Sequence, residues 1–159
     1  MLERKIKSPE ELKKEVSGLK SRGEVIVFTN GCFDLVHYGH VKYLQAAKEK
    51  GDILIVALNS DSSVRRIKGK MRPLVGEKYR AGLIAALESV DYAVIFKEET
   101  PLKLIKSLKP DILVKGADWK EENIVGGDFV KSYGGKVINV KFIRGFSTTN
   151  LLKKIAKSF

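Results

Sequence analysis

The stretch Asn30-Gly31-Cys32-Phe33-Asp34-Leu35-Val36-His37-Tyr38-Gly39-His40 decides how this chain folds. The apolar run 24–29 before it predicts a buried strand, and apolar residues recur at helical spacing over 41–47 after it. We therefore expect a strand, a glycine turn and a helix that opens near the two histidines. His37 and His40 are three residues apart, so both imidazoles can lie on one face of the first helical turn.

The start of such a helix is a natural anion site, because unpaired N–H groups meet the positive end of the helix dipole there. Two histidines at that place indicate phosphate chemistry. Two alternatives compete with it: the histidines could be ordinary surface residues, or they could share a zinc ion with Cys32. The chain has only 2 His and 1 Cys, so a zinc site would lack a convincing fourth ligand. The order of strand, glycine turn and helix favours the phosphate.

The composition is that of one globular domain. The chain has 159 residues, of which 43% are hydrophobic, which suits a full-sized core. No apolar run reaches membrane-spanning length and no signal peptide is expected. A single cysteine, Cys32, fits a reducing cytoplasm. The net charge of +11 attracts polyanions, which makes nucleic acid a rival partner, but neither an aromatic-interleaved basic face nor a helix-turn-helix pattern supports it.

Four more apolar runs predict strands, at 52–59, 92–96, 111–115 and 136–142. Helical patterns separate them, and one helix is expected to bury a stripe made of Tyr79, Leu83, Leu87 and Val90. The pattern predicts an α/β fold with a single doubly wound, five-stranded parallel sheet, Rossmann-like, and a site across the carboxyl ends of the strands. One domain is expected over 1–159, with an N-terminal packing helix in 1–23 and the catalytic core in 24–159.

A cluster of cations follows the second predicted strand, with only Glu77 opposing it. The cluster consists of Arg65, Arg66, Lys68, Lys70, Arg72, Lys78 and Arg80. The segment 68–73 contains Gly and Pro and lacks periodicity, which predicts a loop. This loop leaves the same sheet edge as the histidine turn, so Lys68, Lys70 and Arg72 could close over a triphosphate. A solvated surface is the alternative, above all for Arg65 and Arg66.

Two later segments could border the same site. The run Ser147-Thr148-Thr149 precedes an amphipathic helix, and its hydroxyls could form a phosphate cradle or simply cap that helix. Trp119 follows the fourth predicted strand, and the sequence leaves open whether it packs in the core or forms an aromatic wall for a ligand.

These motifs run in order over nearly the whole chain. They are the stretch 30–40, Asn59-Ser60-Asp61, Lys68-Gly69 with Arg72-Pro73, the run 113–119 and Ser147-Thr148-Thr149-Asn150. Together they resemble the cytidylyltransferase-like nucleotidyltransferase superfamily, and within it the heptose-1-phosphate adenylyltransferases. The resemblance implies transfer of AMP from ATP to D-glycero-β-D-manno-heptose 1-phosphate, giving ADP-heptose and pyrophosphate for lipopolysaccharide core precursors. It also implies Mg²⁺ that accompanies ATP, and no metal ligands in the protein.

The same resemblance implies roles for individual residues. Catalytic roles fall on His37, His40 and Lys70. Nucleotide-binding roles fall on Cys32, Phe33, Gly39, Gly116, Asp118, Arg144, Ser147, Thr148 and Thr149. Acceptor-binding roles fall on Asp34, Lys68 and Arg72.

Two departures from the cytidylyltransferase pattern predict ATP over CTP. Those relatives often carry an arginine just before a Tyr-Val-Asp or Phe-Val-Asp, where this chain has Glu88-Ser89-Val90-Asp91, and an Arg-Thr-Glu-Gly where it has Phe142-Ile143-Arg144-Gly145. The alternatives are a glycerol-3-phosphate cytidylyltransferase, an FAD-synthetase-like enzyme or, outside the enzymes, a nucleic-acid-binding module. The expected partners are ATP and a sugar 1-phosphate, without membrane or nucleic acid. The chain could form a homodimer, and a heptose kinase would be a separate protein.

Overall fold

The computed structural model describes residues 1–141, 143 and 145–159. These residues form six strands, which are β1 (Ile6–Lys7), β2 (Ile26–Gly31), β3 (Ile53–Asn59), β4 (Tyr92–Phe96), β5 (Ile112–Gly116) and β6 (Lys136–Val140). The helices are α1 (Pro9–Ser21), α2 (Tyr38–Lys48), α3 (Asp61–Lys68), α4 (Glu77–Ala85), α5 (Leu102–Leu108), α6 (Gly127–Ser132) and α7 (Thr148–Ala156), with short 3-10 turns at Leu2–Arg4 and Glu121–Asn123. None of the helices within these ranges is long and apolar enough to cross a bilayer.

All neighbouring strands pair in parallel, in the order β1-β4-β3-β2-β5-β6. The predicted α/β class and all five predicted strands are confirmed. The sixth strand, β1, was missed because two residues at a sheet edge are too short to show a period. From β2 the chain builds outward first through β3 and β4 and then, on the other side, through β5 and β6. This reversal opens a crevice at the carboxyl end of β2, where ligands bind in open α/β sheets.

Strand β2 is buried on both faces, which explains why its sequence is an unbroken apolar run. Val27 packs into the layer that contains Leu44 of α2, while Phe28 packs into the opposite layer with Leu12 of α1. All four side chains are 0% exposed. The central strand that carries the histidine segment is therefore held rigidly from both sides.

Helix α1 begins with a complete side-chain cap. The Ser8 hydroxyl accepts a hydrogen bond from the Glu11 N–H at 3.2 Å, and the Ser8 N–H donates to the Glu11 carboxylate at 2.8 Å. This reciprocal capping box satisfies two groups that the helix start leaves unpaired.

The buried stripe predicted for the helix that contains Tyr79 and Leu83 is wrong, because α4 turns a different face to the core. In α4, Tyr79 and Leu83 are 75% and 50% exposed, whereas Arg80 and Ile84 are fully buried. Val90 is buried, but it lies beyond the end of the helix. The prediction failed because it placed the charged Arg80 in solvent. Backbone carbonyls and a carboxylate surround its guanidinium instead, so the helix turns this face inward.

Candidate active site

The two histidines stack on each other at the start of α2. His37 is the N-cap residue and His40 lies in the first turn. Their ring centroids are 3.9 Å apart with an interplanar angle of 26°. The backbone N–H of His37 donates to Nδ1 of His40 at 3.3 Å. Because Nδ1 accepts, a neutral His40 carries its proton on Nε2, for which the described residues provide no acceptor.

Burial favours the neutral form of both imidazoles. Burial, followed by the neighbouring His37 and Lys68, lowers the pKa of His40 to about 4. Burial also lowers the pKa of His37 below its usual 6.5. Among the described residues, the buried Nδ1 of His37 has no hydrogen-bond partner. The pair is therefore a set of neutral donors and acceptors placed beside a helix start that attracts anions.

Aromatic rings flank the histidines on both sides. Phe33 meets His40 edge-on with centroids 5.2 Å apart, and Phe146 stacks on His37 at 6.5 Å. Phe33 takes a left-handed backbone angle (φ 48°), which is costly for a side chain of this size and is held here by burial of the ring. A Cβ at Gly39 would lie 2.9 Å from Cε1 of His37 and 3.0 Å from Cβ of Phe146. Phe33 and Gly39 thus fix the imidazoles, while their contact with a nucleotide stays a prediction.

Direct titration of the imidazoles would check this assignment. The chain has 2 histidines, so its NMR spectrum contains two Cε1–H signals, which His37→Gln and His40→Gln assign. We expect the His40 signal to titrate near pH 4 and the His37 signal below 6.5, because burial disfavours both imidazolium forms. A His40 signal that titrates near 6.5 would contradict the buried, neutral assignment.

The same shift has a consequence for stability. The folded-state pKa of His40 lies below the ordinary 6.5, so the unfolded chain takes up the proton first as the pH falls. The contribution of this residue to stability is therefore complete above pH 6.5 and is lost as the pH falls towards 4. The free energy of unfolding of the parent should fall across this window more steeply than that of His40→Gln.

Asp34 is occupied within the protein. Its carboxylate accepts hydrogen bonds from Nε of Arg72 at 2.6 Å and from the N–H groups of Leu74 and Val75 at 2.8 and 3.0 Å. Burial opposes ionisation, but these hydrogen bonds outweigh it and lower the pKa of Asp34 below 3.8. Asp34 and Arg72, both predicted to bind the acceptor, instead bind each other. They tie the end of the basic loop to the histidine segment, and acceptor binding by either stays a prediction.

A cleft of about 160 Å³ lies over the carboxyl ends of β2 and β5. The sequence-predicted residues in its lining are Cys32, Phe33, Asp34, His40, Lys68, Gly116 and Thr148. Among the described residues, the predicted site members outside this lining are His37, Gly39, Lys70, Arg72, Asp118, Ser147 and Thr149. Arg144 lies outside the described residues. The structure therefore brings the histidine turn, the first lysine of the basic loop and the β5 turn together.

The three hydroxyl residues at the start of α7 have different surroundings. The Ser147 hydroxyl accepts a hydrogen bond from the N–H of Asn150 at 3.0 Å, which is the ordinary helix cap weighed above. Thr148 lines the cleft, whereas Thr149 is exposed. Only Thr148 of the three is placed by the structure for a ligand in the cleft, and a joint phosphate cradle stays a prediction.

This arrangement has a counterpart in known proteins. The sequence model of one family, described as cytidylyltransferase-like, matches residues 28–153, which contain most of β2, both histidines and Thr148. The chain belongs to the cytidylyltransferase-like family. The resemblance drawn from the motifs is thereby confirmed at the level of the family.

Curated relatives of this cytidylyltransferase-like chain are named bifunctional protein HldE. The one from Geobacter metallireducens is 56% identical over 155 residues, and the one from Gluconobacter oxydans is 60% identical over 131 residues. These matches cover 98% and 82% of this chain but 32% and 27% of the relatives. The chain thus spans about a third of the length of the first of them.

Two solved structures resemble it. A lipopolysaccharide core biosynthesis protein from Thermoplasma volcanium is 32% identical, with a TM-score of 0.61 over 76% of this chain and 98% of that one. A pantoate-beta-alanine ligase from Francisella tularensis has a TM-score of 0.62 over 96% of this chain and 76% of that one. At 16% identity the ligase shows the shared fold alone.

One departure from the cytidylyltransferase relatives lies far from the cleft. Asp91 lies at the amino ends of the strands. It accepts a hydrogen bond from the Leu54 N–H at 2.7 Å and forms an ion pair with Lys48 at 2.6 Å. The segment 88–91 is at the wrong edge of the sheet to contact a nucleotide in this crevice, so it says nothing about base choice. In the other departure, Phe142 and Arg144 lie outside the described residues.

Lys115 is a residue of the cleft that the sequence analysis did not predict. Its Nζ donates to the Asn30 carbonyl at 3.2 Å and lies 5.5 Å from the ring centre of Trp119. Burial lowers the pKa of Lys115 to about 8, against the opposing influence of Cys32 and Asp118. Trp119 itself is 48% exposed and lines the cleft, so it is a wall and not core. A lysine within an otherwise apolar strand was the signal that could have identified this position.

Arg80 is the second residue that sequence reasoning missed. The side chain is 0% exposed. It donates to the carbonyls of Cys32 at 2.5 Å, Asn59 at 2.9 Å and Val75 at 2.8 Å, and to the Asp61 carboxylate at 2.8 Å. Arg80 thus joins the ends of β2 and β3 to the basic loop. Its position on the buried face of α4 would have been visible had the phase of that helix been correct.

Proposed function

We propose that this chain transfers AMP from ATP to D-glycero-β-D-manno-heptose 1-phosphate, with release of pyrophosphate. The observation that carries the proposal is the stacked pair of neutral histidines, His37 and His40, beside the start of α2 and the crevice. Family membership and the similarity to HldE and to a lipopolysaccharide core biosynthesis protein support the substrate choice. The proposed preference for ATP over CTP rests on the similarity to those relatives.

The chemistry suits what these residues can do. A phosphate oxygen of the sugar 1-phosphate attacks the α-phosphorus in line, a new P–O bond forms, and the bond to the bridging oxygen breaks. Its electron pair leaves with pyrophosphate, so no covalent enzyme intermediate is needed. Catalysis is then positioning plus stabilisation of charge on the transferring group. Nε2–H of His40, the N–H groups at the start of α2 and the ammonium of Lys68 would supply that stabilisation.

Mg²⁺ would enter with ATP as part of the substrate. In the described part of the chain, no group of three or more His, Cys, Asp or Glu residues could hold a metal ion. The ligands would therefore come mainly from triphosphate oxygens and water, as Mg²⁺ prefers.

The proposal also covers the extent of the catalytic unit, its compartment and its partners. One catalytic unit spans 1–159, with its core in 24–159, and acts in the cytoplasm, in line with its single Cys32. The relatives are called bifunctional and are about three times as long as the matched region. The second activity, which we take to be the heptose kinase, would reside outside the matched segment. Two copies of the chain could form a homodimer.

Pyrophosphate release over a grid of substrates tests the reaction. ATP and CTP are each paired with heptose 1-phosphate, glucose 1-phosphate and glycerol 3-phosphate. The proposal predicts the fastest release from ATP with heptose 1-phosphate. Turnover mainly with CTP, or with glycerol 3-phosphate but not the heptose, would refute this assignment in favour of the alternative enzymes.

Two neighbouring lysines offer a matched pair of variants. Both are exposed, but Lys68 lines the cleft and Lys70 lies outside its lining. We expect Lys68→Ala to raise KM for the acceptor about tenfold or more, because a charge-assisted hydrogen bond to phosphate is lost, and Lys70→Ala to change it little. Steady-state kinetics with each substrate varied would measure both. If Lys70→Ala instead lowers kcat strongly, the catalytic role predicted for Lys70 from the resemblance stands and the loop must close further.

A further inference from the structure

A second cavity opens beside the histidine cleft. It has a volume of about 460 Å³ and lies over the carboxyl ends of β2 and β3 and the segment that follows β4. The two cavities share one wall, which includes Cys32, Lys68, Lys115 and Trp119. Small-molecule sites commonly measure about 300–1,000 Å³, so the second cavity offers the room that the 160 Å³ cleft lacks.

The two sides of this cavity differ in charge. The ammonium groups of Lys68 and Lys115 stand on the shared wall, towards the histidines. The Glu99 carboxylate and the Thr100 hydroxyl belong to the far side. Glu99 also lies 3.5 Å from Nε of Arg66. A ligand with an anionic end towards the histidine cleft and neutral hydrogen-bond donors at the other end fits this distribution, whereas a polyanion along the whole cavity would meet the carboxylate.

Asn59 provides a prepared polar contact. Its side chain is 4% exposed, and its amide group donates to the Ser63 hydroxyl at 3.0 Å. The amide oxygen is met by the Cys32 thiol at 3.8 Å, which is a long contact from a weak donor. The oxygen is thus oriented by the protein and still able to accept a hydrogen bond from a hydroxyl.

Lys115 stands where the two cavities meet. Within the described residues, its hydrogen bond goes to the backbone carbonyl of Asn30, and its other contact is the ring of Trp119. Neither partner carries a charge, so an anionic group at the boundary would find a cation without a bonded carboxylate. Burial lowers the pKa of Lys115 to about 8 although Cys32 and Asp118 oppose the shift, so a bound anion would further favour the charged ammonium.

We propose that the second cavity holds the sugar of the acceptor, with hydroxyls on Asn59 and Glu99, and that Lys115 binds the acceptor's phosphate at the boundary with the histidine cleft. This inference rests on the proposed function. It places the attacking phosphate beside the nucleotide while the sugar occupies the larger space. It also moves acceptor recognition away from Asp34 and Arg72, which bind each other.

The single tryptophan makes binding measurable without turnover. The chain has 1 Trp, Trp119, and this residue lines both cavities. Its fluorescence is recorded while heptose 1-phosphate or inorganic phosphate is added to the protein. We expect Lys115→Met to weaken binding of both probes about tenfold to a hundredfold, since a charge-assisted hydrogen bond is lost. Lys14→Met, at an exposed position on α1, is the matched control and should bind like the parent.

The sugar side is tested by filling the cavity. Val125 lies on its rim and is 37% exposed, so a larger ring there should be tolerated by the fold. We expect Val125→Phe to weaken heptose 1-phosphate about tenfold or more through lost sugar contacts, and to leave inorganic phosphate unchanged. Leu83→Phe, at an exposed position on α4, serves as its control. In pyrophosphate release, Val125→Phe should raise KM for the acceptor and not for ATP.

The outcomes separate this inference from the reaction itself. Saturable binding with the expected variant pattern but no pyrophosphate release would support the sugar cavity and refute the proposed transfer. Release with heptose 1-phosphate that Val125→Phe leaves unchanged would support the transfer and overturn the cavity. If Lys115→Met does not alter phosphate binding, the assignment of Lys115 is wrong.

Discussion

Replacing His40 by alanine is expected to lower kcat by about two to three orders of magnitude, in line with the loss of one donor aimed at developing charge. The donor is Nε2–H, which the hydrogen bond between the His37 N–H and Nδ1 of His40 sets in place. Because the imidazole is neutral, the loss is that of an oriented hydrogen bond and not of a full charge. Single-turnover measurement of AMP transfer would isolate this step from product release.

A second variant separates chemistry from folding. His40→Gln keeps a side-chain N–H donor and should recover part of the lost rate, while both variants should retain the parent's circular dichroism spectrum. His40 is partly buried at the rim of a cleft, so the alanine leaves no closed core cavity. If His40→Ala turned over within a few-fold of the parent, the catalytic role of His40 would be refuted.

The largest effect on stability is expected at Arg80. Arg80→Ala should lower the free energy of unfolding by about 3–5 kcal/mol, because the partners of a buried charge are left without it. Those partners are three backbone carbonyls and the Asp61 carboxylate. Urea unfolding followed by circular dichroism would measure the change. Arg65→Ala, an exposed arginine on α3, should stay within about 0.5 kcal/mol of the parent.

Activity should fall with stability in this variant. Arg80 holds the Cys32 and Asn59 carbonyls, and those two residues line the cavities proposed for the substrates. At low temperature, the fraction of the Arg80→Ala variant that is still folded should therefore bind the acceptor more weakly than the parent. An unfolding free energy within about 1 kcal/mol of the parent's would show that water replaces the guanidinium without cost.

The elements that the sequence predicted well are those with strong local signals. The apolar run of β2 and the helix at the histidines both follow from neighbouring residues. The two-residue β1 has no such signal, because pairing with β4 alone makes it a strand. Local pattern reasoning cannot find an element that exists through a distant partner.

The candidate site divides in the same way. The histidine pair could be predicted because its spacing and its place after a strand are local. The engagement of Asp34 by Arg72 could not, since the two residues meet through a loop that no period describes. Lys115 was overlooked because a strand pattern reads it as one polar residue among apolar ones. In each case the missing information was the identity of a distant partner.

The contact between Phe146 and His37 has a consequence for biosynthesis. The histidine segment is translated before Phe146 and Thr148, which complete its surroundings and lie near the end of the matched region. A nascent chain that carries β2 and α2 alone has half of the cleft and pays a loop-closure entropy before the rest can join. A chain that ends before Phe146 would therefore lack one side of the cleft and leave His37 without its stacking partner.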